Sequence, residues 1–324
     1  MTDRRDHGGG LDAAIARYGG SRAQWLDLST GINPVPYPIG EIGTDAWTNL
    51  PEKTAMDGLL SAARNFWNVP DDAQIIAAPG VSALITRMPE LSWNSDVYIP
   101  SPTYNEHAAA FARIGSYGEE GPLAKVRVFV HPNNPDGQRW DEHVIWGDHQ
   151  EMTIIDESFC DVSPKASHVG LTGEPGIIAL KSFGKFWGLA GLRLGFAIGT
   201  SHTLARPGNG SHDIVDLAEL LGPWPISGPA LSIGTRALLD KNWANKTRLR
   251  LKKDANRLDI LMAPHSNVVG GTDLFRLYKV DNAAKWQKRL AQNRIWSRIF
   301  PYSDHWIRLG LPAPDRWSQL EAVL

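Results

Sequence analysis

Three short stretches put reactive side chains at the ends of apolar runs. In LKSFGKFWGLAGLRLGF (residues 180–196) Lys185 stands among Phe183, Phe186 and Trp187, ahead of a glycine-rich run that holds one arginine, Arg193. Desolvation favours the neutral form of an amine, and a neutral amine attacks a carbonyl carbon. The same lysine also fits a surface position, with its stem lying over its neighbours and its ammonium in water. In MTIIDES (152–158) Asp156 and Glu157 close an apolar run, where a carboxylate is partly desolvated and seeks a cation. A helix cap or an ion pair is the plainer use of such residues. In HPNNPDG (131–137) two asparagines among prolines and a glycine mark a tight turn. Other chemistries are excluded by spacing. The HGGG at 7–10 has no G-x-S-x-G elbow to accompany it as a hydrolase oxyanion loop. FGKF lacks the Ser or Thr and the upstream glycine of a P-loop, and GLAGLRLG lacks the G-x-G-x-x-G spacing. The scattered histidines, His143 and His149 among them, show no metal-site spacing, so no metal is expected.

Residues of this kind need rigid elements to hold them. β-rich runs recur at 74–80, 96–102, 126–135, 152–158, 176–182 and 192–199, each ending in a polar or glycine-rich turn. That is the pattern of buried strands in a mostly parallel sheet. Helical segments at 83–91 and 105–115 lie between them, giving the βαβ alternation of an open α/β sheet, whose ligands bind at the carboxyl ends of strands. A polar loop at 200–212 then leads to LGPWPISGPA (221–230) and a long helical stretch from about Leu231 to Met262. The remainder reads as a smaller α+β region: a hairpin in NVVGGTDLFRLYKV, a helix near 283–293, a strand in DHWIRLGL and a last helix in PDRWSQLEAVL.

Taken together the motifs resemble the pyridoxal-phosphate-dependent aminotransferase superfamily, class I/II, fold type I. The family's Asn-Pro-x-Gly turn is here Asn134-Pro135-Asp136-Gly137, its strand-end aspartate is Asp156, and its lysine with Gly-Leu-x-Gly-x-Arg is Lys185 with GLAGLR. The resemblance spans nearly the whole chain. It implies an α/β fold with a mostly parallel, seven-stranded-type sheet in a large domain, and a smaller α+β C-terminal domain. Residues 1–40 would form a substrate-binding arm, 41–225 the large cofactor-binding domain, and 226–324 a linking helix and the small domain.

The resemblance also implies pyridoxal 5'-phosphate as cofactor and assigns roles. Lys185 would hold its aldehyde covalently, Asp156 would pair with the ring nitrogen, and Asn134 would donate to the phenolic oxygen. Tyr104, in SPTYNEH, would stack on the ring, with His107 supporting the aspartate. Gly80, Val81 and Ser82 at a helix start, with Ser182 and Arg193, would cradle the phosphate. Arg308, in HWIRLGL, would bind the substrate carboxylate. Lys185, Asp156 and Tyr104 are thus the catalytic candidates. Two positions depart from many relatives: Phe159 replaces a tyrosine, and Leu50-Pro51 replaces a Tyr-Pro that reaches the neighbouring subunit's phosphate.

The N-terminal stretch narrows the reaction. HGGGLDAAIARYGG, then WLDLSTGINPVPYP, is similar to the opening of the cobalamin-pathway threonine-phosphate decarboxylases, and DESF (156–159) is similar to their aspartate motif. This resemblance implies decarboxylation of O-phospho-L-threonine to (R)-1-amino-2-propanol phosphate in cobalamin biosynthesis. His7, Gly8, Gly9 and Asn33 would then bind the substrate phosphate or shape its pocket. Two alternatives stay open. One is a histidinol-phosphate-type aminotransferase on the same scaffold. The other is a cofactor-binding regulator without turnover, which usually carries a DNA-binding domain that has no room before HGGG.

Composition agrees with an enzyme of small molecules. Lys and Arg (33) nearly balance Asp and Glu (35), so no overall field draws the chain to nucleic acid or to an anionic membrane. The expected partners are a phosphorylated amino acid and, by resemblance, a second copy in a homodimer. The lone cysteine, Cys160, allows no intrachain disulfide and points to a reducing cytoplasm. The start lacks the apolar stretch of a secretory signal, and no run of about eighteen apolar residues occurs. At 324 residues, two domains are expected.

Overall fold

The computed structural model describes residues 7–92, 96–115, 121, 124–146, 151–207 and 214–324. His149 and residues 208–213 of the polar loop lie outside them. By contacts the chain divides into two compact units. One comprises residues 37–134 and 139–245, the other residues 1–36, 135–138 and 246–324.

The first unit is built on a six-stranded sheet, one strand fewer than the seven expected, among the described residues. Its order is Ala73–Ala78, Gly195–Thr200, Ile177–Ser182, Met152–Asp156, Val126–Val130 and Val97–Tyr98. These are the six apolar runs of the sequence. Gly195–Thr200 is antiparallel to both neighbours and the remaining pairs are parallel. Val126–Val130 and Met152–Asp156 are buried throughout, as strands covered on both faces must be. Alternation along them feeds two clusters. Val128 and Ile154 join Leu84, Met88 and Phe111, whereas Phe129 and Ile155 join Ile145 and Ile177.

This topology decides where the polar residues fall. Asp156 and Ser182 are the last residues of parallel strands, and the HPNNPDG turn begins directly after Val130. Because Gly195–Thr200 runs the other way, its first residue pairs with the last residues of its neighbours, Ala78 and Ser182. Arg193, two residues earlier, therefore arrives at the same sheet edge as Gly80 and Ser182.

The expected single helix over 231–262 is two helices, Gly228–Leu239 and Lys241–Met262. Asp240 separates them. Its backbone leaves the helical region (φ −89°, ψ 70°), and its Oδ1 accepts from the Trp243 amide at 2.9 Å, capping the second helix. The second unit contains an antiparallel sheet ordered Asn267–Thr272, Phe275–Lys279, Ser303–Gly310 and Arg298–Phe300. Leu26–Asp27 pairs in parallel with Ile295–Trp296, which ties the N-terminal segment into this unit. Among the described residues, no helix is long and apolar enough to cross a membrane.

Candidate active site

A recess of about 120 Å³ opens at the sheet edge of the first unit. Gly80, Val81, Ser82, Tyr104, Asn134, Asp156, Ser182, Lys185 and Arg193 all line it. Nine residues chosen for one chemistry thus meet in one place, although they come from five separate stretches of the chain.

One part of the recess suits an anion. Gly80 has φ +87°, and a Cβ built on it would lie 2.6 Å from Arg193 Nη2, so the missing side chain leaves room for the guanidinium. Arg193 itself sits in the left-handed region (φ 52°) and donates from Nη1 to the Ala190 carbonyl at 3.1 Å. Next to it the helix Val81–Arg87 begins, where the Val81 and Ser82 amides precede the first bond of the turn, from the Ala83 amide to the Gly80 carbonyl at 3.1 Å. The Ser182 hydroxyl accepts from the Gly184 amide at 3.1 Å. A guanidinium, two serine hydroxyls and helix-start amides make a cradle for a phosphate group.

Asp156 is only 2% exposed. Its Oδ1 accepts from the Ser158 amide (3.0 Å) and hydroxyl (2.5 Å), and its Oδ2 lies 2.9 Å from His107 Nε2. Burial raises the Asp156 pKa, but the bonds from His107 and Ser158 outweigh it and hold the carboxyl below its ordinary value. The result is a fixed buried carboxylate suited to a protonated ring nitrogen. His107 is fully buried, with its ring edge-on to Tyr104 at 6.2 Å. Lys185 Nζ lies 5.1 Å from the centre of the Phe159 ring, where the family more often has a tyrosine. An amine over an apolar ring, a buried carboxylate and an anion cradle are what a phosphorylated pyridine aldehyde requires.

Glu157 faces elsewhere. Its Oε2 accepts from Lys181 Nζ (2.8 Å) and the Ser167 hydroxyl (2.6 Å), and its Oε1 from the His168 amide (2.5 Å). Burial raises its pKa and Lys181 overcomes that, leaving it below its usual value. The ion-pair reading therefore applies to Glu157, while Asp156 opens on the recess.

The remaining candidates belong to the second unit. Arg308 is 4% exposed and donates from Nη2 to the Ser29 carbonyl at 2.7 Å. The Gly9 amide donates to the Ser29 hydroxyl at 2.8 Å, and the Trp296 indole donates to the Gly9 carbonyl at 2.9 Å. A Cβ on Gly8 would stand 2.7 Å from the Ser29 carbonyl oxygen and 3.5 Å from Arg308 Nη2. Gly8, Gly9 and Arg308 are thus brought together around Ser29. Asn33 is buried, and its Oδ1 accepts from Arg250 Nη2 at 2.5 Å and from the Val35 amide at 3.0 Å. His7 is exposed. Sequence reasoning passed over Ser29, Arg250 and Ser158. Ser158 carried a signal, since a serine two residues after an aspartate at a strand end favours a local side-chain turn. Arg250 was hidden among the many basic residues of its helix.

The family model for aminotransferase class I and II matches residues 114–317. The chain belongs to this family. It is 37% identical to a threonine-phosphate decarboxylase of Sinorhizobium sp, an alignment covering 95% of this chain and 93% of that protein. It is 35% identical to a threonine-phosphate decarboxylase of Pseudomonas aeruginosa, over 98% of this chain and 97% of that one. The histidinol-phosphate aminotransferase of Sinorhizobium meliloti, solved in complex with pyridoxal-5'-phosphate, superposes with a TM-score of 0.78 at 17% identity, covering 97% and 93% of the two chains. That likeness establishes the fold, and class I and II aminotransferases use pyridoxal phosphate.

Proposed function

We propose that this chain decarboxylates O-phospho-L-threonine to (R)-1-amino-2-propanol phosphate, with pyridoxal 5'-phosphate as cofactor, in cobalamin biosynthesis. What carries the reading is that the side chains expected to hold the cofactor line one recess of a chain similar over nearly its whole length to two threonine-phosphate decarboxylases. In the reaction the Cα–carboxylate bond breaks, carbon dioxide leaves, and a proton takes its place on Cα.

Pyridoxal phosphate, when bound, supplies a sink for the electron pair released at Cα. The chain's own residues do the rest. Arg193, Ser82, Ser182 and the amides of Val81 and Ser82 would hold the phosphate, and Asn134 and Tyr104 would fix the ring. Asp156, kept ionised by His107 and Ser158, would keep a proton on the ring nitrogen. Lys185 Nζ would hold the aldehyde and, once the substrate amine has taken its place, would be the group able to carry a proton to Cα. Arg308 grips the substrate carboxylate, and the segment 1–40 is the substrate arm, with His7, Gly8, Gly9 and Asn33 serving the substrate phosphate. Which Cα bond breaks depends on which one stands perpendicular to the ring, so these grips choose the reaction by orientation.

A homodimer is part of this reading. Trp47 (68% exposed), Leu50 (65%) and Trp224 (57%) are large apolar side chains that a partner subunit would cover. The single cysteine, buried Cys160, fits a cytoplasmic enzyme.

The test is incubation of the purified, cofactor-loaded protein with O-phospho-L-threonine and no oxo acid. Carbon dioxide and aminopropanol phosphate should form. Turnover of histidinol phosphate only when 2-oxoglutarate is supplied would make the chain an aminotransferase. Cofactor binding without either reaction would make it a regulator.

A further inference from the structure

Behind the recess lies a buried charge cluster that none of the roles above uses. Lys181 (1% exposed) reaches Glu157 Oε2 at 2.8 Å and Asp161 Oδ1 at 3.0 Å. Two carboxylates against one ammonium leave a net negative charge in the core, and a buried charge persists only where strong donors satisfy it. Glu157 has the Ser167 hydroxyl and the His168 amide, and for Asp161 the donors are two indoles. Trp67 Nε1 donates to Asp161 Oδ1 at 3.0 Å, and Trp187 Nε1 donates to Asp161 Oδ2 at 3.1 Å. Trp187 is two residues beyond Lys185. Its ring is fully buried, stacked on Phe183 (5.0 Å, 10°) and Trp243 (5.4 Å, 11°). The turn around Lys185 is closed by Gly188 N donating to the Lys185 carbonyl at 3.1 Å, and Leu189 N to the Phe183 carbonyl at 3.2 Å. Stacking fixes the plane of the Trp187 ring but lets it slide; the directed bond to Asp161 fixes its position.

We infer that Asp161 is a positioning residue for Lys185: through the Trp187 indole it sets the place of the turn from which the lysine amine reaches the recess. This rests on the reading of Lys185 as the cofactor-bearing lysine. Glu157 extends the same cluster to the opposite functional group. It follows Asp156 directly, and its amide donates to the Leu180 carbonyl at 2.9 Å. Lys181 therefore ties the strand end bearing Asp156 to the segment bearing Lys185, from the side away from the cofactor.

The amide of Asn separates this role from simple support of the fold. In Asp161→Asn, Lys181 and the Trp67 indole still need an acceptor at Oδ1, so the amide nitrogen must face the Trp187 indole and that one bond is lost. The Lys181–Glu157 pair is then neutral, so the fold is expected to survive. Trp187→Phe removes the same bond from the other side and keeps a ring in the stack. Cofactor-free protein is mixed with pyridoxal phosphate, and covalent attachment is followed by its absorbance. Each variant should attach the cofactor about tenfold more slowly than wild type and lose a similar factor in kcat. KM should stay within about twofold, and the double variant should be no worse than either single, because both remove one interaction. Wild-type attachment rates in both single variants, or effects that multiply in the double, would overturn the inference, even if both unfold at lower temperature. Borohydride reduction of the wild type followed by peptide mapping separates the two levels. No label at Lys185 sinks the functional reading and this inference with it, whereas a labelled wild type with unaffected variants sinks the inference alone.

Discussion

The recess around Asp156 and the cluster around Arg308 hold their charged groups by different means. Asp156 is held mainly by side chains, His107 and Ser158, with one further bond from the Ser158 amide, all from a helix start and a strand end inside a packed sheet. Arg308 is held by main chain: its guanidinium donates to the Ser29 carbonyl, and Ser29 is placed by the Gly9 amide and by Asp27, whose Oδ1 accepts from the Ser29 amide and hydroxyl. A site held by side chains tolerates changes in nearby backbone, and one held by main chain depends on the path of its segment. On the proposed reading, the cofactor chemistry that every substrate shares rests on the first design, and selection of the substrate rests on the second.

The largest effect should come from the recess. If Lys185 is both the covalent anchor and the proton carrier, Lys185→Ala removes the two together and should lower kcat by at least about a hundredfold. The variant should still bind the cofactor through Arg193 and Asp156, as dialysis followed by absorbance will show. Unchanged turnover would remove the recess from the chemistry.

The second design is broken from either side. If Arg308 holds the substrate carboxylate, Arg308→Ala removes a charge-assisted contact of about 1.5–3 kcal/mol, so kcat/KM should fall roughly tenfold or more while cofactor affinity stays unchanged. Gly8→Ala leaves Arg308 in place but puts a methyl 2.7 Å from the Ser29 carbonyl, so the segment must shift. If main-chain placement is what matters, Gly8→Ala should reproduce the kinetic signature of Arg308→Ala. A Gly8→Ala enzyme with wild-type kinetics would show that Arg308 keeps its place without Ser29.

These two designs were not equally legible in the sequence. The recess could be read because its residues sit in short motifs at the ends of apolar runs such as MTIID and GIIALKS, and a run buried on both faces is hard to mistake. Gly8 and Gly9 could be marked, but not their dependence on Ser29, which lies 20 residues beyond Gly9. The Lys181–Asp161–Trp187 cluster was hidden for another reason. Lys181 looks like the polar end of its strand, and nothing local shows that it is buried or that an indole 26 residues from Asp161 supplies a donor. The helix break at Asp240 was missed because the apolar pattern continues across it.

The side-chain design has a cost in acid. His131, at the start of the HPNNPDG turn, donates from Nε2 to the Ala166 carbonyl and accepts at Nδ1 from the Trp140 amide, which fixes the neutral ring. Burial pushes its pKa down to about 4, an effect that nearby Glu157 opposes and His168 and Arg139 reinforce. Between about pH 6.5, where an unfolded histidine titrates, and that value, the unfolded chain takes up a proton that the folded chain refuses. Stability should therefore fall as pH drops through this window, by about 3 kcal/mol at most, and this loss should level off below it. Asp156 and Glu157, held low, lose their contributions only below the ordinary carboxylate range of about 4. His131→Gln can keep both bonds without a titrating ring. Denaturant unfolding at about pH 5 and about pH 7 should show a smaller difference in the variant than in the wild type.

The smallest effect tests the edge of the main-chain design. His7 is exposed, so a bond from its ring to the substrate phosphate would be screened and worth about 1 kcal/mol or less. His7→Ala should raise KM for O-phospho-L-threonine by up to about fivefold, and the difference from wild type should shrink as salt is added. Turnover of unphosphorylated threonine, however slow, should not change, because it has no phosphate to lose. The ratio of the two effects is the informative quantity. Equal losses on both substrates would mean that His7 only steadies the start of the Gly8-Gly9 segment, and selection of the phosphate would then fall to the Asn33–Arg250 pair.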